Sequence, residues 1–204
     1  MKPVAVVTGA SGGLGAAIAA ELEGRGYRVV GLSRSSGVDV ADEARVRAAF
    51  GELERLDILV NNAAVLIPRP LVDTSATEWD EQLRSLRAAF LCSREAFRRM
   101  GPGGTIVNVS SLSGVAGAEK FAGMAAYVAA KSGLAGLTEV LAVEGRPLGI
   151  RVNAISPGAI DTPMLRLAGV PGRKFAPAEV ARVVAWLAAP DSAPLTGANL
   201  RLEP

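Results

Sequence analysis

The stretch Thr8-Gly9-Ala10-Ser11-Gly12-Gly13-Leu14-Gly15 constrains the fold more than any other part of the chain. Before it, residues 4–7 form a β-branched-rich run of the kind a buried parallel strand requires. After it, an alanine-rich helical stretch continues to Leu22. Gly9, Gly13 and Gly15 lack Cβ atoms, which permits a tight strand-to-helix turn. It also lets a diphosphate approach the N–H groups at a helix N-terminus. A plain flexible turn has the same composition, so the flanking strand and helix carry the nucleotide-binding reading.

The same alternation runs along the rest of the chain. Gly24 and Gly26 stop the first helix, and 28–33 reads as a second strand. Residues 42–56 are helical by period, with Val46, Ala49, Phe50, Leu53 and Leu56 on one face. A third strand follows at 57–61, then a long helix over 78–100 with Thr77 as its N-cap. Gly101-Pro102-Gly103-Gly104 forces a loop. Strands at 105–110, 150–155 and 198–202 and helices at 125–144 and 177–189 complete the pattern, with Pro177 in the last helix's first turn. This order predicts an α/β fold, a doubly wound and mostly parallel sheet with helices on both faces. The 204 residues suit one domain, 1–204.

Composition excludes several chemistries. With no histidine there is no Ser-His-Asp triad and no His-ligated metal. One cysteine, Cys92, allows neither an intrachain disulfide nor a multi-cysteine zinc site, so no metal is expected. Cys92 lies among apolar residues and reads as core. Lys+Arg 22 against Asp+Glu 20 leaves +2, no footprint for nucleic acid. The arginines at 94, 98 and 99 read as a solvated helix face. The first apolar run is too short for a signal peptide, and Lys131 interrupts the longest apolar stretch. The expectation is a soluble cytoplasmic protein with no membrane partner.

Two further sites carry chemistry. About 20 residues beyond the glycine loop, an acid would bind an adenosine ribose. The chain has Gly31-Leu32-Ser33-Arg34-Ser35-Ser36 there, without a carboxylate until Asp39. Arg34 suits a 2′-phosphate, with Ser33 as a hydrogen-bond donor, so NADP(H) is favoured over NAD(H). A surface arginine is the plain alternative. In Tyr127-Val128-Ala129-Ala130-Lys131 the phenol and ammonium share a helix face, and the charge is expected to lower the tyrosine pKa.

Together the glycine loop, Asn61-Asn62-Ala63, Ser110-Ser111, Tyr127-x-x-x-Lys131 and Pro157-Gly158-Ala159-Ile160-Asp161-Thr162 resemble, in order and spacing, the short-chain dehydrogenase/reductase family. The resemblance runs from Val4 to about Leu202 and implies a Rossmann-type fold. It implies that Gly9, Ser11, Gly13, Leu14 and Gly15 hold the diphosphate and adenosine ribose, and that Asp39 and Val40 flank the adenine. Asn61 and Ala63 would support the strand beside the cofactor. Pro157, Gly158, Ile160 and Thr162 would fix the nicotinamide carboxamide. Ser111 would bind the substrate oxygen, Tyr127 act as acid/base, and Lys131 grip the nicotinamide ribose. A small carbonyl or alcohol substrate and a homodimer or homotetramer are implied as well.

The chain departs from the family at four places. The asparagine the family usually carries in the helix after Asn-Asn-Ala is missing, the flanks matching best with a deletion between Ser85 and Leu86. Ser111 lies 16 residues before Tyr127, longer than usual, which makes Ser113, at 14, a rival. Ser35-Ser36-Gly37 replaces a whole crossover, so the sheet is expected to be trimmed at the edge after the second strand. The lid segment 164–174 is short. Two readings follow: an NADP(H)-dependent carbonyl reductase or alcohol dehydrogenase, and a catalytically weakened dinucleotide-binding sensor or scaffold. Acyl thioesters, quinones, sugars, pterins and small ketones all stay open as substrates.

Overall fold

A computed structural model describes residues 2–168 and 172–203. Six parallel strands form one sheet in the order β2-β1-β3-β4-β5-β6. They are β1 (Val4–Thr8), β2 (Arg28–Leu32), β3 (Ile58–Asn61), β4 (Thr105–Val109), β5 (Arg151–Pro157) and β6 (Asn199–Leu202). The order reverses between β1 and β3, where the chain returns to the other side of β1. The sheet ends at β2, after which Ser33 caps a single 3-10 turn, Arg34–Ser36, in place of a crossover. The trimmed edge is therefore present.

Strand side chains alternate between the two faces. Val6, Leu59, Ile106 and Val152 face a layer made by α2 (Glu43–Gly51), α3 (Ala76–Phe97) and α4 (Ala125–Gly145). Ala5, Val7, Ile58, Val60, Val107, Val109 and Ile155 face α1 (Gly13–Gly24) and α6 (Pro177–Ala188). A short α5 (Pro163–Ala168) precedes α6, and of the lid segment, 169–171 lie outside the described residues.

Three helix boundaries differ from the sequence pattern for reasons the packing shows. The long helix begins at Ala76, capped by Ser75 rather than Thr77. Ser75 Oγ accepts from the Glu78 N–H at 3.2 Å, and Glu78 Oε2 accepts from the Ser75 N–H at 3.0 Å. This reciprocal box satisfies two orphan donors at once and outcompetes a lone threonine. The helix over 42–56 ends early, at Gly51. Leu53 and Leu56 still reach the core, but from the following loop, which is why the apolar period overran the helix. Residues 125–148 run on as one helical stretch, long and apolar enough by length and composition to cross a membrane. That the sequence pattern did not anticipate. Here α4 packs against α3 and β5.

The arginines at and just beyond the C-terminal end of α3 are not merely solvated. Arg98 and Arg99 bond the Glu95 carboxylate at 2.5 and 2.6 Å, and Glu95 is buried. A buried carboxylate requires such partners. Ser75→Ala is expected to cost about 1 kcal/mol, lowering Tm by about 2–4 °C in a domain of this size. Thermal unfolding checks this, with catalytic behaviour unchanged because the cap is remote from the cavity described next.

Candidate active site

A cavity of about 1050 Å³ opens at the C-terminal ends of the strands. This is where open α/β sheets bind ligands, at the point where strand order reverses. Its size is at the top of the ~300–1,000 Å³ range of ligand pockets, enough for an extended ligand and a second, smaller one.

The glycine loop forms one wall. Gly9 and Gly13 have φ of 69° and 54°, a left-handed backbone that glycine tolerates. At Gly15 a Cβ would sit 2.1 Å from the Gly9 carbonyl oxygen, so this glycine lets α1 press against the turn. A Cβ on Gly12 would meet nothing within 4 Å. Gly12 caps α1 without a side-chain hydrogen bond, and the first turn carries no acid. The N–H groups and the positive end of the helix dipole are thus free for an anion. Arg34 also lines the cavity and has no ion pair among the described residues. These residues fit a dinucleotide diphosphate and a further phosphate.

Ser11, Leu14, Ser33, Asp39, Val40, Ala63, Pro157, Gly158, Ile160 and Thr162 line the same cavity, with Ser111, Tyr127 and Lys131. Asn61 is not among the lining residues. Its side-chain amide donates to Ser93 Oγ at 3.0 Å and Asn108 Oδ1 at 2.8 Å, tying β3 to α3 and β4 behind the cavity. The neighbouring Asn62 lines the cavity instead, donating from Nδ2 to the Thr8 carbonyl at 3.0 Å. Asp39 is ion-paired with Arg84 from α3, a cavity residue that sequence reasoning missed.

Tyr127 and Lys131 lie one turn apart on α4, Lys131 buried and Tyr127 half-buried. Burial raises the Tyr127 pKa, and a hydrogen bond with Ser111 offsets part of that rise. This corrects the expectation of a tyrosine lowered by its lysine. The Lys131 ammonium lies 5.6 Å from the Tyr127 ring centroid and donates to the Val109 carbonyl at 2.7 Å. Its own burial brings its pKa down to about 8, since a desolvated ammonium is disfavoured.

Ser111 caps a 3-10 turn, Leu112–Gly114, and its Oγ accepts the Ser113 N–H at 3.2 Å. Both serines line the cavity, and Ser111 is the one whose hydroxyl acts on the phenol, holding back part of the rise in its pKa. Where the family asparagine is missing, Ser85 faces the cavity and donates to the Gln82 carbonyl at 2.8 Å. The arrangement offers a half-buried phenol as proton donor, a hydroxyl beside it and a buried cation one turn on, at one end of a cavity with an anion-binding helix terminus at the other.

Known proteins share this architecture. A family profile described as enoyl-(acyl carrier protein) reductase matches residues 33–203. Cis-4-hydroxycyclohexanecarboxylate dehydrogenase of Sinomonas cyclohexanicum is 37% identical over 240 aligned positions, covering 98% of this chain and 94% of that protein. The 3-oxoacyl-[acyl-carrier-protein] reductase FabG of Vibrio cholerae is 36% identical, covering 98% and 95%. These alignments are longer than the 204-residue chain, so the relatives carry segments it lacks. A Burkholderia cenocepacia short-chain dehydrogenase in complex with NADP superposes with TM-score 0.89 at 30% identity, covering 98% and 96%. A Brucella melitensis 3-ketoacyl-(acyl-carrier-protein) reductase complexed with NADH gives 0.87 at 27%, with the same coverage. Sheet order, cavity and sequence likeness across nearly the whole chain lead to one conclusion: this protein belongs to the short-chain dehydrogenase/reductase family and is an oxidoreductase of that type.

Proposed function

We propose that the protein reduces a small carbonyl compound to an alcohol at the expense of NADPH, with Tyr127, Ser111 and Lys131 as its catalytic residues. The observation that carries this reading is the convergence of all three on one end of the dinucleotide-sized cavity, with Lys131 buried and Ser111 and Tyr127 half-buried along its wall. When bound, the nicotinamide supplies the hydride. The N-terminus of α1 and Gly9, Ser11, Gly13, Leu14 and Gly15 hold the diphosphate side. Asp39 and Val40 line the adenine side, and Pro157, Gly158, Ile160 and Thr162 the nicotinamide side. Ala63 supports the wall between them, and Lys131 holds the ribose.

Ser111 and Tyr127 donate hydrogen bonds to the substrate oxygen, which gains negative charge as hydride reaches the carbonyl carbon. Tyr127 then delivers its proton to that oxygen. A tyrosine whose pKa is raised by burial stays protonated at neutral pH, which suits reduction. The reverse reaction requires the phenolate, so alcohol oxidation is expected to rise with pH through the alkaline range. Reduction is expected to stay flat from about pH 6 to 8. Initial rates in both directions across pH check this, and an oxidation rate that falls with rising pH contradicts it.

Arg34, without an ion-pair partner among the described residues, supports NADP(H) over NAD(H), with Ser33 beside it. The NADP-bound Burkholderia neighbour supports the same choice, and the NADH-bound Brucella neighbour sets the alternative. Arg34→Ala is expected to raise the KM for NADPH by about 10–100-fold through loss of charge-assisted hydrogen bonds, leaving NADH almost unchanged. Equal effects on both cofactors would contradict this role.

Consumption of NADPH and NADH against a panel of small ketones, quinones and acyl thioesters tests the reading as a whole. The expected result is turnover with NADPH. Tight NADPH binding without turnover across the panel would favour the sensor or scaffold reading, which the missing asparagine motivates. Exposed Phe90, Val140 and Val143 on α3 and α4 support a homodimer or homotetramer covering these helices. The charge balance supports a soluble cytoplasmic enzyme without nucleic-acid or membrane partners.

A further inference from the structure

We propose that Arg201 anchors a carboxylate on the substrate, so that the carbonyl compounds this protein takes are oxo acids with the acid group near the reacting carbon. The proposal rests on the oxidoreductase reading of the same cavity and names its substrate class.

Strand register places Arg201. Val109 pairs with Ile155, and Ile155 with Leu200. The next row along is therefore Ser110, Ser156 and Arg201, with Ser156 paired directly to Arg201. Leu200 and Leu202 pack into the core beneath α1 and α6, so Arg201 between them projects to the opposite face. That is the face α4 covers with Tyr127 and Lys131. Ser110 points the same way, its Oγ donating to the Lys131 carbonyl at 2.9 Å. Two strand spacings, about 10 Å, separate the backbones of Ser110 and Arg201, and Ser111 is the next residue. The long arginine side chain bridges part of that distance. What remains accommodates a small ring or a short chain between the guanidinium and a carbonyl at Ser111 and Tyr127.

The charges around the cavity single out this end. Lys131 is bound to the Val109 carbonyl, and Arg84 is paired with Asp39 and Glu81. Arg34 sits beyond β2, at the opposite edge of the sheet. Arg173 and Arg201 also line the cavity, and the side chain of neither forms an ion pair or hydrogen bond among the described residues. Two carboxylates also line the cavity: Glu203, two residues beyond Arg201 and just past the end of β6, and Glu119 from the loop between β4 and α4. Neither is ion-paired to Arg201. A planar guanidinium matches a carboxylate through two parallel hydrogen bonds. With Lys131 below and Arg173 alongside, the field at this end favours an anion over an ammonium.

Two measurements separate this proposal from the reading it rests on. Saturation-transfer NMR, with NADPH present and absent, compares binding of cyclohexanecarboxylate and cyclohexanecarboxamide to wild type, Arg201→Gln and Arg201→Lys. The carboxylate is expected to bind at least 10-fold tighter than the amide to wild type. Arg201→Gln is expected to weaken the carboxylate by about 10–100-fold with the amide unchanged, and Arg201→Lys to restore part of the loss. Circular dichroism confirms that each variant is folded, as expected for an exposed edge-strand residue. Equal binding of acid and amide by wild type, or a carboxylate affinity indifferent to Arg201→Gln, overturns the proposal whether or not any ketone is reduced. Separately, NADPH-dependent reduction of 4-oxocyclohexanecarboxylate and 4-oxocyclohexanecarboxamide reads the chemistry. If both are reduced equally well, the anchor is wrong and the oxidoreductase reading stands.

Discussion

Tyr127→Phe is expected to lower kcat/KM for NADPH-dependent ketone reduction by about 10²–10⁴-fold, the range of a positioned general acid. NADPH affinity is expected to change by no more than a few-fold. The variant removes one hydroxyl and keeps the ring, so the packing of α4 against the cavity floor is preserved. What is lost is the proton donor and its hydrogen bond with Ser111. Because the phenol's hydrogen bond to the substrate oxygen strengthens as charge develops there, the loss belongs in kcat more than in KM. Steady-state kinetics with a fluorescence titration of NADPH separates the two. Activity that survives in Tyr127→Phe would remove the phenol from the mechanism and leave Ser111 or solvent as proton source.

Gly15→Ala is the second large effect. Its Cβ would lie 2.1 Å from the Gly9 carbonyl oxygen and 2.6 Å from Asn62 Nδ2. The first neighbour is backbone in a turn whose Gly9 has a positive φ, so relief requires α1 to move away from β1. Overpacking of this kind costs about 3 kcal/mol, or about 6–12 °C in Tm for a domain of this size. The displaced N-terminus of α1 is also expected to forfeit most NADPH affinity. Gly12→Ala is the matched control. Its backbone is extended and its Cβ enters open space, so stability should hold while the methyl group intrudes on the ligand. Thermal unfolding and NADPH titration of both variants distinguish a packing glycine from a ligand-facing one. Equal stability of the two would contradict the assignment.

Much of this was legible in the residues. The β-branched run, the glycine loop and the alternation of strands and helices fix a parallel sheet. The short Ser35-Ser36-Gly37 link correctly foretells a sheet that ends at β2. Tyr127 and Lys131 are neighbours by helical spacing alone. Spacing, however, reports proximity and not burial. The sign of the Tyr127 shift follows from desolvation, and the direction of the Lys131 ammonium from the Val109 carbonyl, and both belong to the packed protein. Asn61 and Asn62 are adjacent and chemically identical. Only strand pleat decides that one braces the sheet and the other faces the cavity. Arg201 sits in a strand that sequence alone identifies. Its row with Ser110 comes from pairing across β5, between segments more than forty residues apart. The Ser75 and Glu78 box was in plain sight as S-x-x-E.

Label transfer tests the central claim most directly. Wild-type protein would be incubated with NADPH deuterated at the transferable C4 position and a ketone it reduces, and the alcohol examined by mass spectrometry and NMR. Direct hydride transfer inside one cavity predicts one deuterium on the carbinol carbon, with the hydroxyl proton drawn from solvent through Tyr127. A carbinol carbon that carries no deuterium would contradict the account.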